Sequence, residues 1–422
     1  MSARDLDVVV LGATGVTGRQ VARYLADRAG EDGVRWAPAA RDTGKLAALL
    51  GEARVEAPEP IAADVGDPES LVALAARARV VLDLVGPYTR FGRPVIEACL
   101  AAGSHYVDLT GELPFVRQMI DAFDEPARAA GVKIVQVCGF EALPADLLVA
   151  LVAKTARERF GEELADVDLQ VQMTAPPGPP QASDMVSGGT FQSLVEVAAS
   201  EDAASVTDPA LLISDRSHAE AVRRMSPIPL APRRGADGAV VAPMAPAPFI
   251  NPALVHRSVE LAAQAEGREP RAFRYREGVV LAGGVVTLPL RWALAAGISA
   301  TQVGLVAVTH ATPRTRRRVA GLLGRLGPRS GFGPKGERLE RWRWQMLVQA
   351  STAGGRQLGA RVEADGHPGY LATARMLGEA GVLLAREGAT PQRGGCLTPA
   401  AALGTDCIGS FERARLHFTV DD

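Results

Sequence analysis

Cysteine is scarce and unpatterned in this chain. Cys99, Cys138, Cys396 and Cys407 form no Cys-x-x-Cys pair, which excludes a zinc ribbon and a disulfide framework. The six histidines (His105, His218, His256, His310, His367 and His417) show no metal-ligand spacing, so no metal site is expected. Lysine occurs only at Lys45, Lys133, Lys154 and Lys335, and arginine carries nearly all the positive charge. Neither sign of charge is in excess. The net charge of −2 excludes the basic footprint of a nucleic-acid binder. None of the five tyrosines is followed four residues later by lysine, so the acid pair of short-chain dehydrogenases is missing. No Gly-x-Ser-x-Gly elbow occurs either. The polar start and the short run Val8 to Leu11 do not make a secretory signal, and a cytoplasmic, reduced protein is expected.

What is present is a globular composition, with 47% hydrophobic and 22% charged residues over 422 positions. That length suggests two or three domains with sizeable cores. The chain is organised around its first twenty-five residues. Val8, Val9, Val10 and Leu11 read as a buried parallel strand. Gly12-Ala13-Thr14-Gly15-Val16-Thr17-Gly18 follows, and helical spacing begins at Arg19. A glycine turn between a strand and a helix is a phosphate-binding device. Gly12 permits the tight turn, Gly15 lets backbone N–H groups approach a pyrophosphate, and Gly18 lets helix and strand pack closely. Thr14, Val16 and Thr17 belong to the same cradle. The alternative is a glycine turn that holds no ligand.

Residues 35–40 fit a second strand, with Pro38 an imperfect member. Arg41 stands where an NAD site places an acid, and Lys45 follows one helical turn later. Cations there suit a 2′-phosphate, so NADPH/NADP is expected over NAD. An ordinary solvated charge at a strand end is the alternative. Residues 59–64 resemble a third strand, with Asp64 placed to meet an adenine edge. Residues 80–85 are a fourth, and Val85, Gly86 and Pro87 then lie over the nicotinamide half. Helices are expected at 45–50, 68–78, 91–102, 114–130 and 147–159, and strands at 106–109 and 133–137. This alternation predicts an α/β fold with an N-terminal Rossmann-type, doubly wound parallel sheet.

The boundary is expected near residue 165, giving a dinucleotide-binding domain over 1–165 and an α+β domain over 166–422. Residues 167–173 alternate apolar with polar, as a half-buried strand does. A helix runs from Ser187-Gly188-Gly189-Thr190 to about residue 200. Residues 201–270 read as loops and short strands, 331–336 as a loop, 341–350 and 357–363 as an antiparallel hairpin, 390–399 as a loop, and 411–420 as holding a last strand. The helix at 369–384 is a candidate to pack back on the first domain. Residues 279–308 approach transmembrane length, but Arg291 and Pro289 argue against a span. The stretch is open to three readings: a peripheral membrane contact, an oily substrate chain, or burial as a helix pair. Arg314 to Arg318 add a basic cluster.

Hydride chemistry belongs to the cofactor, yet reduction of a double bond also uses a proton donor. Candidates at strand ends are Tyr88, Tyr106, Asp108, Glu112 and Cys138. Tyr88, after Gly86-Pro87, is the first choice, with Tyr106 and Glu112 next. Each has a bland alternative: Tyr106 and Asp108 would only satisfy backbone, and Cys138 would only fill the core.

Several motifs in order carry a family resemblance: residues 10–18, Val85-Gly86-Pro87-Tyr88, His105 to Glu112, Cys138-Gly139-Phe140 with Pro144 and Asp146, Ser187 to Thr190, Pro368-Gly369-Tyr370 with 373–377, and Gly394 to Ala400. Together they resemble saccharopine dehydrogenase-like oxidoreductases, and most of all the actinobacterial trans-acting enoyl reductases. The resemblance implies an NADP-binding Rossmann domain and reduction of a double bond on a polyketide or lipid intermediate held by a separate synthase. It maps the family's glycine loop onto Gly12, Gly15 and Gly18, and its basic strand-two residue onto Arg41. The family's usual Phe-Asp-Ser-Val-Pro-Ser-Asp is here Phe140-Glu141-Ala142-Leu143-Pro144-Ala145-Asp146. The change removes two hydroxyls near the expected site, leaving room for a different substrate. Gly333-Pro334-Lys335 and His367 are further departures. The expected function is therefore an NADPH-dependent enoyl reductase. An imine or ketone reductase is the second enzyme reading, and a non-catalytic NADP-binding partner docking on a synthase or membrane is the other class. Self-association is left open.

Overall fold

The strand–helix alternation builds the first sheet, and the chain's last quarter comes back to complete it. The computed structural model describes residues 4–178, 188–235, 238–243, 247–281, 287–326 and 336–421. β1 (Leu6–Leu11), β2 (Trp36–Ala40), β3 (Ile61–Ala62), β4 (Ala78–Asp83), β5 (His105–Asp108) and β6 (Lys133–Val135) are joined by helices. These are α1 (Val16–Asp32), α2 (Thr43–Glu52), α3 (Pro68–Arg77), α4 (Tyr88–Ala102) and α5 (Leu113–Ala130). α6 (Leu143–Phe160) follows β6. The sequence continues with β7 (Leu164–Thr174), α7 (Gly188–Ala199), α8 (Arg216–Met225), β8 (Arg233–Arg234), β9 (Val240–Ala242) and α9 (Ala247–Ala265). Then come β10 (Arg274–Leu281), α10 (Leu288–Thr309), α11 (Pro313–Leu326), β11 (Arg343–Thr352), β12 (Gln357–Asp365) and α12 (Thr373–Ala385). β13 (Gly395–Leu397), α13 (Pro399–Leu403) and β14 (Leu416–Val420) close the chain.

Among the described residues, the first sheet has the order β13-β6-β5-β4-β1-β2-β3. All its pairs are parallel. The order reverses between β1 and β4, which is where an open α/β sheet forms its ligand crevice. β13 corrects the expected loop at 390–399: Gly395, Cys396 and Leu397 pair with Lys133, Ile134 and Val135. Three residues are too few to show strand periodicity. Pro38 is tolerated because β3 reaches β2 only at Ala39 and Ala40, so at Pro38 the strand is paired with β1 alone.

The second sheet has the order β14-β12-β11-β7-β10-β9-β8. It is mixed, since β10 runs parallel to β7 while the other described pairs are antiparallel. The expected loops of 201–270 include α9, a helix of 19 residues. Its residues 250–257 are all buried. A helix buried all round shows no polar face to reveal its period, and Pro252 disguises it further.

Alternate residues of the first sheet face opposite cores. Val9, Leu11, Val81, Tyr106 and Ile134 pack with α3, α4 and α5. Val8, Val10, Leu82, Val107 and Val135 share one core with α1, α6 and α12 and with the second sheet's Val167, Leu169 and Trp344. α12 comes close to its neighbours through glycine. A Cβ at Gly378 would lie 2.4 Å from the Tyr24 ring, and one at Gly381 would lie 3.0 Å from Leu82.

Candidate active site

β1 ends at Leu11 and the chain turns at Gly12, whose φ is +87°. A side chain there would meet Val85 at 2.9 Å and the Leu84 backbone at 3.0 Å. At Gly18 a Cβ would stand 2.6 Å from the Gly12 carbonyl oxygen. Two of the three glycines are thus required by packing alone. Gly15 differs: it is exposed, and the nearest atom to a Cβ is the Gly12 oxygen at 3.4 Å. It is the N-cap of α1 and supplies no side-chain cap, so the first-turn N–H groups of Val16 and Thr17 receive none. A 17-residue helix whose first turn is open in this way offers N–H donors and positive dipole charge to an anion. Thr14 contributes its carbonyl oxygen to Arg19 at 2.6 Å. Val16 packs beneath Leu339, Tyr370 and Leu371, which bring the chain's second half over the turn.

Beyond β2, the Arg41 side chain is 81% exposed, and its Nε stands 3.9 Å from Asp64 Oδ2. The neighbouring Asp42 carboxylate is occupied with α2, accepting from the Lys45 N–H at 2.8 Å. It therefore does not cancel Arg41. Lys45 is exposed in the first turn of α2. Asp64 accepts from the Gly66 N–H at 2.9 Å and stands beside Arg41.

The ends of β4 and β5 enclose a buried acid–tyrosine cluster. The Tyr106 hydroxyl lies 2.9 Å from an Asp108 carboxyl oxygen and 3.2 Å from one of Asp83, sharing its one proton between them, and all three residues are fully buried. Asp83 also accepts from the Val85 N–H at 2.9 Å, and Asp108 accepts from the Thr110 and Val137 N–H groups at 3.0 Å. Burial pushes the Asp108 carboxyl up to about 6 and holds Asp83 well above the usual carboxylate range. Tyr88 is not on a loop but in the first turn of α4. Its hydroxyl donates to the Asp83 carbonyl at 3.1 Å and accepts from the Leu109 N–H at 3.4 Å. Burial, then the charges of Asp108 and Asp83, drive both tyrosines' pKa values far up. Tyr88 and Tyr106, the expected proton donors, thus both have their hydroxyls enclosed and engaged inside the protein. Cys138 is likewise fully buried, and burial pushes its thiol up.

Glu112 is fully buried too, and its carboxylate accepts from the N–H groups of Tyr88 at 3.0 Å and Thr89 at 2.8 Å, and from the Thr89 hydroxyl. Ser193 of α7 donates to it at 2.7 Å. Glu112 is thus the anion at the N-terminus of α4, complementing that helix's dipole. These bonds fix the start of α4 directly after Val85, Gly86 and the cis-linked Pro87.

Two carboxyls that sequence reasoning passed over stand nearby. Glu141 lies on the turn between β6 and α6, half-buried, and among the described residues its side chain has no hydrogen bond or ion pair. Burial pushes it up to about 7. Glu277, on β10, is buried and held by Asn251 Nδ2 at 2.9 and 3.1 Å and by the Tyr275 hydroxyl at 2.8 Å. Burial pushes Glu277 up to about 7 as well, and Glu141's charge adds to the shift. Glu141 sits in a quoted motif, but the motif's lost hydroxyls drew the attention. Glu277 sits in no motif, and nothing in the sequence could have joined the two. Ser187, and the Gly333 to Lys335 stretch of the 331–336 loop, lie outside the described residues.

A glycine turn whose exposed member leaves a helix N-terminus open, with exposed and at most weakly paired cations beyond the next strand, fits the pyrophosphate and 2′-phosphate of NADP. The bound cofactor supplies a hydride, and the fold and site together define a Rossmann-type NADP-dependent oxidoreductase. Residues 8–135 match the family model described as the saccharopine dehydrogenase NADP binding domain. A Mycobacterium tuberculosis (H37Rv) protein provisionally named a trans-acting enoyl reductase is 39% identical over 422 residues, covering 95% of this chain and 94% of that one. The trans-acting enoyl reductase of Mycobacterium bovis is 36% identical over 418 residues at the same coverage. The apo saccharopine dehydrogenase (L-Glu forming) of Saccharomyces cerevisiae shares the fold, with a TM-score of 0.50 at 16% identity, over 99% of this chain and 100% of that one. The chain belongs to the trans-acting enoyl reductase family of saccharopine dehydrogenase-like oxidoreductases and is an NADPH-dependent reductase.

Proposed function

We propose that this protein reduces the carbon–carbon double bond of an α,β-unsaturated acyl thioester, carried to it by a separate polyketide- or lipid-type synthase. The observation that carries the reading is the end-to-end kinship to trans-acting enoyl reductases together with an open glycine-turn site. Gly12, Thr14, Gly15, Val16, Thr17 and Gly18 would hold the pyrophosphate, and Arg41 with Lys45 the 2′-phosphate. Asp64 would stand at the adenosine end, and Val85, Gly86 and Pro87 would line the nicotinamide end. Glu112 acts as a positioning residue for that last segment.

The rim supports an oily substrate. α10 packs on β9 through Ala295 and through Trp292 and Ile298. Its outer face leaves Leu290 51% and Leu294 49% exposed. α11 rests on α7, whose Ser193 touches Glu112 and whose Glu196 pairs with Arg90 of α4. This hairpin thus flanks the mouth of the crevice. A peripheral membrane contact is the second reading, favoured because α10 is long and apolar enough to cross a membrane and only 17% of its apolar window is buried.

Titration with NADPH and NADH, followed by turnover on enoyl thioesters and on imines, tests the reading. Tight NADPH binding, weak NADH binding and NADPH oxidation by enoyl thioesters are expected. Oxidation by imines alone would overturn it in favour of an imine reductase.

A further inference from the structure

Reducing a conjugated double bond requires a proton as well as a hydride, and the crevice holds one carboxyl suited to give it. The turn carrying Glu141 leaves β6 on the nicotinamide side of the β1/β4 switch point. It is seated against the end of β5: the Cys138 N–H donates to Asp108 O at 2.8 Å, and Gly139 abuts Leu109. The Phe140 ring next to it meets Trp344 of β11 edge-on, with centroids 4.9 Å apart. From the other wall, Ile250 of α9 stands where a Cβ on Gly111 would come within 3.3 Å of it, and Asn251 beside it grips Glu277. The β5 and β6 turns, α9 and β10 thus come together on the β4 side of the switch point, the side to which the proposed reading assigns the nicotinamide. Within this group Glu277 and Tyr275 are sealed and hydrogen-bonded to each other, whereas Glu141 is partly exposed and its carboxyl has no partner among the described residues.

We infer that Glu141 is the proton donor of the reduction. The inference rests on the enoyl reading of the site. Hydride arrives at Cβ of the unsaturated thioester, and a C–H bond forms there. The π pair of the double bond shifts toward the thioester carbonyl. The O–H bond of Glu141 then breaks, its proton bonds to Cα, and the freed pair stays on the Glu141 carboxylate, which water reprotonates. The substrate gains two hydrogens and NADPH is oxidised to NADP.

The test uses the full chain with an enoyl thioester of a soluble carrier thiol. Glu141→Gln should lower kcat by ~10²–10⁴-fold, the usual contribution of a general acid. NADPH affinity, read by fluorescence on the substrate-free protein, and the thermal midpoint should stay as in the wild type. Glu141→Asp should recover part of the lost rate, because it restores a carboxyl. Unchanged turnover in Glu141→Gln overturns the assignment. So does a loss of NADPH affinity or of stability that accounts for the lost rate, since the role would then be structural. Wild-type protein that oxidises no NADPH with any enoyl thioester would instead sink the enoyl reading itself, before any variant is made.

Discussion

At the scale of single residues, we propose that Arg41 sets cofactor choice. Its guanidinium is solvated, weakly paired to Asp64 at 3.9 Å, and free of Asp42, which caps α2. A charge-assisted contact of this kind contributes ~1.5–3 kcal/mol. Arg41→Ala should therefore weaken NADPH binding by ~10–100-fold and leave NADH binding unchanged. Parallel fluorescence titrations of both cofactors check this, and an unaltered ratio would remove Arg41 from the 2′-phosphate. The tyrosines make the opposite point. Tyr88 and Tyr106 look chemically apt from their place beside strand ends, yet a side chain's direction is set by packing. β5 turns Tyr106 inward to Asp108 and Asp83, and the first turn of α4 turns Tyr88 onto the backbone.

At the scale of elements, α12 is the informative case. It lies on α1 and β4, almost entirely buried, and carries Glu379 into that interface. Glu379 accepts from the Tyr24 hydroxyl and from Arg28 Nε at 3.0 Å. Arg28 also pairs with Asp32 at the end of α1. Removing one partner of a buried pair leaves the other uncompensated, at a cost of ~3–5 kcal/mol. Glu379→Ala should lose about 3 kcal/mol, at the low end because Arg28 keeps Asp32. Urea unfolding of the full chain measures it, and a loss below about 1 kcal/mol would show the pair to be dispensable. The helix's period and its return to the first domain were readable in the sequence, whereas the meeting of Glu379 with Tyr24 and Arg28, 355 and 351 residues away in the chain, was not.

At the scale of the molecule, the two sheets share one continuous core through α6 and α12, while α10 stays outside it with its apolar face uncovered. Leu290→Gln combined with Leu294→Gln should raise KM for long-chain enoyl thioesters several-fold and leave short-chain turnover unaltered. Equal effects on both chain lengths would detach α10 from substrate. The strand–glycine–helix start, the cationic end of β2, the parallel alternation through residue 135 and the hairpin of β11 and β12 were all determined by the sequence. Each is written in local periods of two or 3.6 residues and in turn chemistry. Only the tertiary structure decided that β13 joins the first sheet, that β7 and β10 run parallel, and that α10 lies exposed. These depend on contacts between distant segments, and local periodicity records which face of an element is apolar but not what that face will meet.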